Sequence, residues 1–220
     1  MGREMNSTSG SVYWESGKGE SGIFNLDELY FTHYEKKARS LDCITIMKDH
    51  DVVFNKNTSV IELGCGPGRN LYLIEKLFGC CPWGIDIYQS AVDSCKNYMP
   101  RGFFKAADLA LGGDALMEAV GATKFNVGIT MGFLMHVPIT PEKKSLIKTL
   151  LDICDFTIMI ELSRQGDEDK DELEKNGCVL TTESYTRYDE RIQYTGIELP
   201  GKLAVYICDR RRDNTNAAKE

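Results

Sequence analysis

The sequence lacks the features that mark membrane, secreted and nucleic-acid-binding proteins. No stretch approaches the roughly 20 consecutive apolar residues that span a bilayer, and residues 1–10 have no apolar core of a signal peptide. The net charge is −7, and residues 210–212 form the only basic run. An acidic chain has no general attraction for a phosphate backbone. The sequence therefore predicts neither a membrane partner nor a nucleic-acid partner.

Metal-binding patterns are also missing. The sequence has eight cysteines, but none of them forms a C-x-x-C pair, so a zinc site is poorly supported. Several cysteines, including Cys154 and Cys208, lie in apolar runs, where a thiol behaves as a small hydrophobic group. These features predict free thiols in a reducing cytoplasm and no bound metal.

Apolar runs that alternate with helical patterns organise the chain. Its 220 residues suffice for one α/β domain, and the alternation predicts a doubly wound sheet. We expect a flexible segment at 1–22, a single domain at 23–212 and a polar tail at 213–220. The predicted strands are 60–63, 82–87, 102–109 (running into a loop), 125–132, 156–162 and 203–207, with strand-like character across 178–208. The predicted helices are 25–47, 71–78, 90–98, one that begins after Thr140, and a short one at 166–176.

Three glycines at every second position follow the first predicted strand. Gly64, Gly66 and Gly68 come directly before a helix, and such a turn exposes backbone N–H groups to a nucleotide-like ligand. A dinucleotide-binding fingerprint would need its third glycine at position 69, which is Arg69. NAD and S-adenosyl-L-methionine (SAM) are the two ligands that compete for this turn.

The pattern of Glu62, Gly64, Gly66 and Gly68 resembles the first motif of class I SAM-dependent methyltransferases. The resemblance implies a Rossmann-like, doubly wound sheet of seven strands, the last of them antiparallel, with SAM as the cofactor. In that family the turn wraps the methionine part of SAM. The early acid helps to hold the amino group of SAM, directly or through water.

Two further acids extend the resemblance. Asp86 lies about 20 residues past the glycines, the spacing at which an acid meets ribose hydroxyls; the alternative is a surface residue at a strand end. Asp108 stands where the resembling family places an acid that contacts the adenine amino group, and its alternative is a helix N-cap. The expected cofactor-binding residues are Glu62, Gly64, Cys65, Gly66, Gly68, Asp86, Ile87, Asp108, Leu109 and Met131.

Candidate residues for the acceptor lie after the fourth and fifth strands and in the N-terminal region. His136 ends an apolar run after the fourth strand and is a candidate general base; the alternative is a packed histidine. Glu161, at the end of the fifth strand, is the rival base. Tyr13 and Trp14 lie in a glycine-rich segment that is either a lid over the site or a tail. Tyr34 either lines the site or packs beside it.

The resemblance implies methyl transfer to an oxygen or nitrogen of a small molecule, such as a sugar or a secondary metabolite. Amino-methylating DNA enzymes carry Pro-Pro after the fourth strand and cytosine-C5 enzymes carry Pro-Cys, and this sequence has neither there. The main alternative is a non-catalytic SAM-binding sensor or partner subunit. A nucleic-acid methyltransferase is disfavoured by the net charge of −7. We expect a monomer or a homodimer.

Overall fold

A computed structural model describes residues 34–162, 185–199 and 203–211. These residues form five α-helices, seven β-strands and three short 3₁₀ turns. The helices are α1 (Tyr34–Asp49), α2 (Arg69–Phe78), α3 (Gln89–Tyr98), α4 (Gly113–Val120) and α5 (Pro141–Ile153). The strands are β1 (Ser59–Leu63), β2 (Cys81–Asp86), β3 (Phe103–Ala106), β4 (Phe125–Met131), β5 (Cys154–Leu162), β6 (Gln193–Leu199) and β7 (Leu203–Asp209). The 3₁₀ turns are Leu109–Leu111, Leu134–His136 and Tyr185–Arg187.

The seven strands form one sheet in the order β3-β2-β1-β4-β5-β7-β6. Strands β1 to β5 pair in parallel, whereas β7 is antiparallel to both β5 and β6. This topology confirms the predicted doubly wound sheet with an antiparallel last strand. The strand order reverses between β1 and β4, and ligands of doubly wound sheets bind beyond the strand carboxyl ends at such a point.

The core has two layers because the strands are covered on both faces. Ile61 and Leu63 of β1 face α4 and α5, whereas Val60 faces α1, α2 and α3. A strand buried on both faces needs apolar residues at successive positions, which is why β1, β4 and β5 read as nearly continuous apolar runs. Among the described residues, no helix has the length and apolar character that crossing a membrane requires.

The structure differs from the sequence-based expectations at three places. Helix α4 was not predicted, although the spacing of Leu116, Ala119 and Val120 places them together on its buried side. The strand-like character expected from residue 178 onwards is wrong at Tyr185, which lies in a 3₁₀ turn and is buried; strand β6 begins only at Gln193. Strand β5 starts two residues earlier than predicted, directly after α5. The expected start of the first helix and the 166–176 helix lie outside the described residues.

Close packing between β4 and β5 makes Gly128 sensitive to substitution. A Cβ at position 128 would lie 2.7 Å from Cys154 Sγ, so we expect Gly128→Ala to destabilise the protein by about 1–3 kcal/mol through overpacking. Adding Cys154→Ala removes that sulfur and should recover part of the loss. Urea unfolding of both single variants and the double variant measures the coupling. Equal unfolding midpoints for Gly128→Ala and the wild type would contradict this packing.

Candidate functional site

The glycine turn connects β1 to α2 at the carboxyl edge of the sheet. Gly64, Gly66 and Gly68 have φ angles of 67°, 52° and 81°, which side-chain-bearing residues rarely adopt. The N–H of Gly64 donates to the carbonyl of Ile85 at 2.8 Å, so the turn stays beside β2. Gly68 is the N-cap of α2, and the turn therefore leads directly into the positive end of that helix.

Glu62 is buried beside this turn, and only one of its two carboxylate oxygens has a hydrogen-bond partner among the described residues. Its Oε1 accepts a hydrogen bond from Asn70 Nδ2 at 2.6 Å, and the side chain of Asn70 accepts one from the hydroxyl of Ser40. Glu62 Oε2 is buried and has no hydrogen-bond partner among the described residues. Burial raises the pKa of Glu62 to about 8. A cationic donor placed against Oε2 would satisfy this oxygen and favour the ionised carboxylate.

Asp86, at the end of β2, braces the glycine turn. Its Oδ2 accepts from the N–H of Gly66 at 2.7 Å, and its Oδ1 accepts from the N–H of Tyr88 at 3.0 Å. Burial raises the pKa of Asp86 above its ordinary value. Each carboxylate oxygen can accept a second hydrogen bond, so these contacts leave capacity for a hydroxyl ligand. The neighbouring Ile87 is exposed at 43%.

Other predicted cofactor residues surround the same turn. The thiols of Cys65 and Cys95 both donate to the carbonyl of Gly66, at 3.4 Å and 3.3 Å. Met131 Sδ lies 3.6 Å from Asn70 Nδ2, beside Glu62.

Asp108 follows β3 at the same edge of the sheet. Its Oδ1 accepts from the N–H of Ala110 at 3.0 Å, so the N-cap geometry weighed for this residue is present. Leu109 is buried directly after it. The adenine role of Asp108 stays a prediction.

The loop after β4 carries His136 and is tied to β5 through Glu161. Glu161 Oε1 accepts from the N–H groups of Phe133 and Leu134 at 3.3 Å and 3.1 Å. Burial raises the pKa of Glu161 to about 7. The hydrogen bond from the N–H of Leu134 and the positive charge of Lys143 act in the opposite direction and lower the pKa. His136 is exposed and, among the described residues, no side chain hydrogen-bonds to its imidazole. Partial burial lowers the pKa of His136, so its neutral form is favoured.

Sequence reasoning missed three residues near this site. Asn70 was not selected because its partner Glu62 lies eight positions away across the turn. Phe133 begins the apolar run that ends at His136, and nothing in that run indicates that the Phe133 ring lies against Gly64. Lys143 is fully buried, with Nζ 5.4 Å and 5.7 Å from the ring centroids of Tyr185 and Tyr188. Its spacing from Leu146, Ile147 and Leu150 on the buried side of α5 was the available signal.

The structure does not extend to every predicted site residue. Tyr13 and Trp14 lie outside the described residues, and Tyr34 is described only as the first residue of α1. Among residues 34–162, 185–199 and 203–211, no cluster of three or more His, Cys, Asp or Glu side chains could hold a metal ion.

The strand order, the antiparallel last strand and the glycine turn after β1 define the fold of class I SAM-dependent methyltransferases. Known structures with this fold include magnesium protoporphyrin IX methyltransferase from Synechocystis PCC 6803, with a TM-score of 0.56 and 17% identity over 92% of this chain and 94% of that one. Geranyl diphosphate C-methyltransferase from Streptomyces coelicolor A3(2) matches with a TM-score of 0.60 and 10% identity, over 79% of this chain and 76% of that one.

The bifunctional kinase-methyltransferase WbdD is also similar, with a TM-score of 0.51 and 18% identity over 69% of this chain. This chain spans only 34% of the length of WbdD. No protein-family model and no curated protein sequence matches the chain. The similarity therefore lies in the three-dimensional fold, and it confirms the methyltransferase resemblance at that level.

Proposed function

We propose that this protein is a SAM-dependent methyltransferase that acts on an oxygen or nitrogen of a small molecule. The observation that carries the proposal is Glu62 Oε2, a buried carboxylate oxygen without a described partner beside a glycine turn. The α-ammonium of SAM is a cationic donor that would satisfy it. NAD carries no aliphatic ammonium, so it could not supply this charged donor.

The residues around the turn fit the other parts of SAM. The N–H groups at the start of α2 suit the carboxylate end. Asp86 keeps lone pairs for the ribose hydroxyls, and Asp108 follows β3, where the adenine would lie. When bound, SAM supplies an activated methyl group on a sulfonium, so the protein mainly has to align the acceptor with it. Two structural neighbours, including the protoporphyrin methyltransferase, contain bound S-adenosylhomocysteine (SAH).

The acceptor side of the proposal rests on the loop after β4. The neutral imidazole of His136 is exposed there and can accept a proton from a hydroxyl or ammonium. Glu161 is the weaker candidate base because it is fully buried and its Oε1 already accepts from two backbone N–H groups, whereas His136 is exposed. We keep a sugar or secondary metabolite as the proposed acceptor, and Tyr13, Trp14 and Tyr34 as proposed lining or lid residues. Two of the neighbours named above act on magnesium protoporphyrin IX and on geranyl diphosphate.

Calorimetry with SAM and with NAD tests the cofactor assignment. We expect SAM binding in the wild type, and at least a tenfold loss in Asp86→Ala, because the ribose hydroxyls and the N–H of Gly66 both lose an acceptor. Asp93→Ala is a matched control, since Asp93 is an exposed residue on α3 that hydrogen-bonds Gln89. Binding of NAD without SAM would overturn the proposal. SAM binding without SAH release across a broad acceptor panel would favour the non-catalytic sensor.

A further inference from the structure

We propose that the ring of Phe133 is the contact for the cofactor sulfonium, and that this ring makes the protein bind SAM more tightly than SAH. This inference rests on the proposed function. It adds a cofactor-discriminating residue that the sequence pattern did not identify, and it gives the loop after β4 a role in product release.

Phe133 lies directly against the glycine turn. A Cβ built on Gly64 would overlap the Phe133 side chain, so only a glycine at this position permits the contact. The ring therefore lies between the carboxyl ends of β1 and β4, where the strand order reverses and where doubly wound sheets hold their ligands. Phe133 is half-buried, which leaves part of its surface accessible.

The backbone around Phe133 is held from three sides. Glu161 Oε1 accepts from its N–H at 3.3 Å, and its carbonyl accepts from the N–H of His136 at 2.9 Å. The preceding residue, Gly132, donates to the carbonyl of Ile160 at 2.8 Å. These contacts anchor the ring to β5 and to the 3₁₀ turn, so the ring is preorganised rather than recruited by a ligand.

The covalent structure of SAM places its sulfur between the two acids of the site. The sulfur is three bonds from the carbon that bears the ammonium and one bond from the C5′ carbon of the ribose. If the ammonium contacts Glu62 and the ribose contacts Asp86, the sulfonium would lie between these residues. Gly64 lies between them along the turn, and its N–H bonds the carbonyl of Ile85, next to Asp86. The ring of Phe133, which lies against Gly64, is therefore beside that position.

The chemistry of the ring suits a cation. An aromatic face attracts a positive charge within about 6 Å, and the attraction grows when water is excluded. SAM carries the sulfonium charge, whereas SAH has a neutral thioether at the same position. The ring should therefore favour SAM over SAH by about threefold to tenfold, given the usual strength of such contacts. A weaker hold on SAH lets the product leave after transfer.

Binding of SAM and SAH to Phe133→Leu tests the inference by calorimetry. Leucine keeps an apolar contact with Gly64 but has no aromatic face, so we expect SAM affinity to fall threefold to tenfold and SAH affinity to stay the same. A SAM analogue in which an amine-bearing carbon replaces the methylated sulfonium has a positive charge there while its amine is protonated. Its affinity should then fall in Phe133→Leu as the affinity for SAM does. Phe103→Leu is the control, because Phe103, in β3, is exposed at 39% and packs on Trp83 of β2. It should change neither affinity.

Equal losses for SAM and SAH, or no loss for either, would overturn the inference. If Phe133→Leu does not fold, ring-fluorinated phenylalanines at position 133 keep the shape and weaken the negative face stepwise. The ratio of SAM to SAH affinity should then decline with each fluorine, and a flat series would overturn the inference as well. Failure of the wild type to bind either ligand would contradict the proposed function itself, a result distinct from an unchanged ratio.

Discussion

Glu62→Gln should lower SAM affinity by about 30-fold or more, because a buried charged hydrogen-bond partner of the ammonium is lost. The variant keeps an oxygen for Asn70 Nδ2, which now bonds Oε1 at 2.6 Å. The fold around the turn should therefore persist. Glu75→Gln is the matched control, since Glu75 is a buried glutamate on α2 that pairs with Arg101 at 3.1 Å. An unchanged SAM affinity in Glu62→Gln would contradict the assignment.

The same substitution should flatten the pH dependence of stability. Burial raises the pKa of Glu62 to about 8, well above the ordinary value of about 4.3 for an unfolded chain. Between these values the folded state holds a proton that the unfolded state has released. The contribution of the Glu62 carboxyl to the stability of the folded state is therefore fully present below about pH 4. It is lost as the pH rises to about 8. We expect a wild-type decline of about 2–4 kcal/mol from Glu62 alone, and a shallower slope for Glu62→Gln in urea unfolding from pH 5 to pH 8.

Proton release on binding provides an independent measurement of the same contact. At pH 7 the carboxyl of ligand-free Glu62 is mostly protonated, given its pKa of about 8. An ammonium against Oε2 favours the carboxylate, so SAM binding should release close to one proton. Calorimetry in buffers of different ionisation enthalpy counts that proton. The release should be absent in Glu62→Gln, and its absence in the wild type would contradict the ammonium contact.

The strands and the glycine turn were predictable from the sequence because their signals are local. The apolar residues of β1 and the three glycines that follow it lie within one short stretch. A strand followed by such a turn and a helix is typical of a doubly wound α/β sheet. The doubly wound sheet was then predicted from the alternation of elements, and its antiparallel last strand from the resemblance to methyltransferases.

The contacts that shape the site were harder to predict because they join distant positions. Glu161 accepts from Phe133 and Leu134, about 28 residues away in the sequence, and no local pattern encodes that pairing. Tyr185 has the composition of a strand residue, yet it packs edge-on against Tyr206 from a 3₁₀ turn. Tertiary packing overrides strand propensity at such a position.

Glu161→Ala should be among the most destabilising substitutions in the protein, with a loss of about 3–5 kcal/mol. Two backbone N–H groups lose their acceptor, and the buried Lys143 loses a negative neighbour that acts on it electrostatically. Glu118→Ala removes an exposed glutamate from α4 and serves as the control. Urea unfolding near pH 8 measures both variants, because the carboxyl of Glu161, with a pKa of about 7, is then mostly ionised. A loss below about 1 kcal/mol would contradict a structural role for this carboxylate.

Two further variants separate the structural role of Glu161 from a role as the base. Glu161→Gln keeps an oxygen that accepts from both N–H groups. If Glu161 only holds the loop, this variant should retain most of the SAM affinity and turnover; if Glu161 is the base, the variant should fold but lose turnover. Lys143→Met added to Glu161→Ala removes the buried ammonium together with a negative charge that acts on it, and part of the lost stability should return. That recovery measures the coupling between the two charges. If Glu161→Gln folds and binds SAM normally but does not turn over an identified acceptor, the loop-holding role alone is wrong, and Glu161 rather than His136 becomes the proposed base.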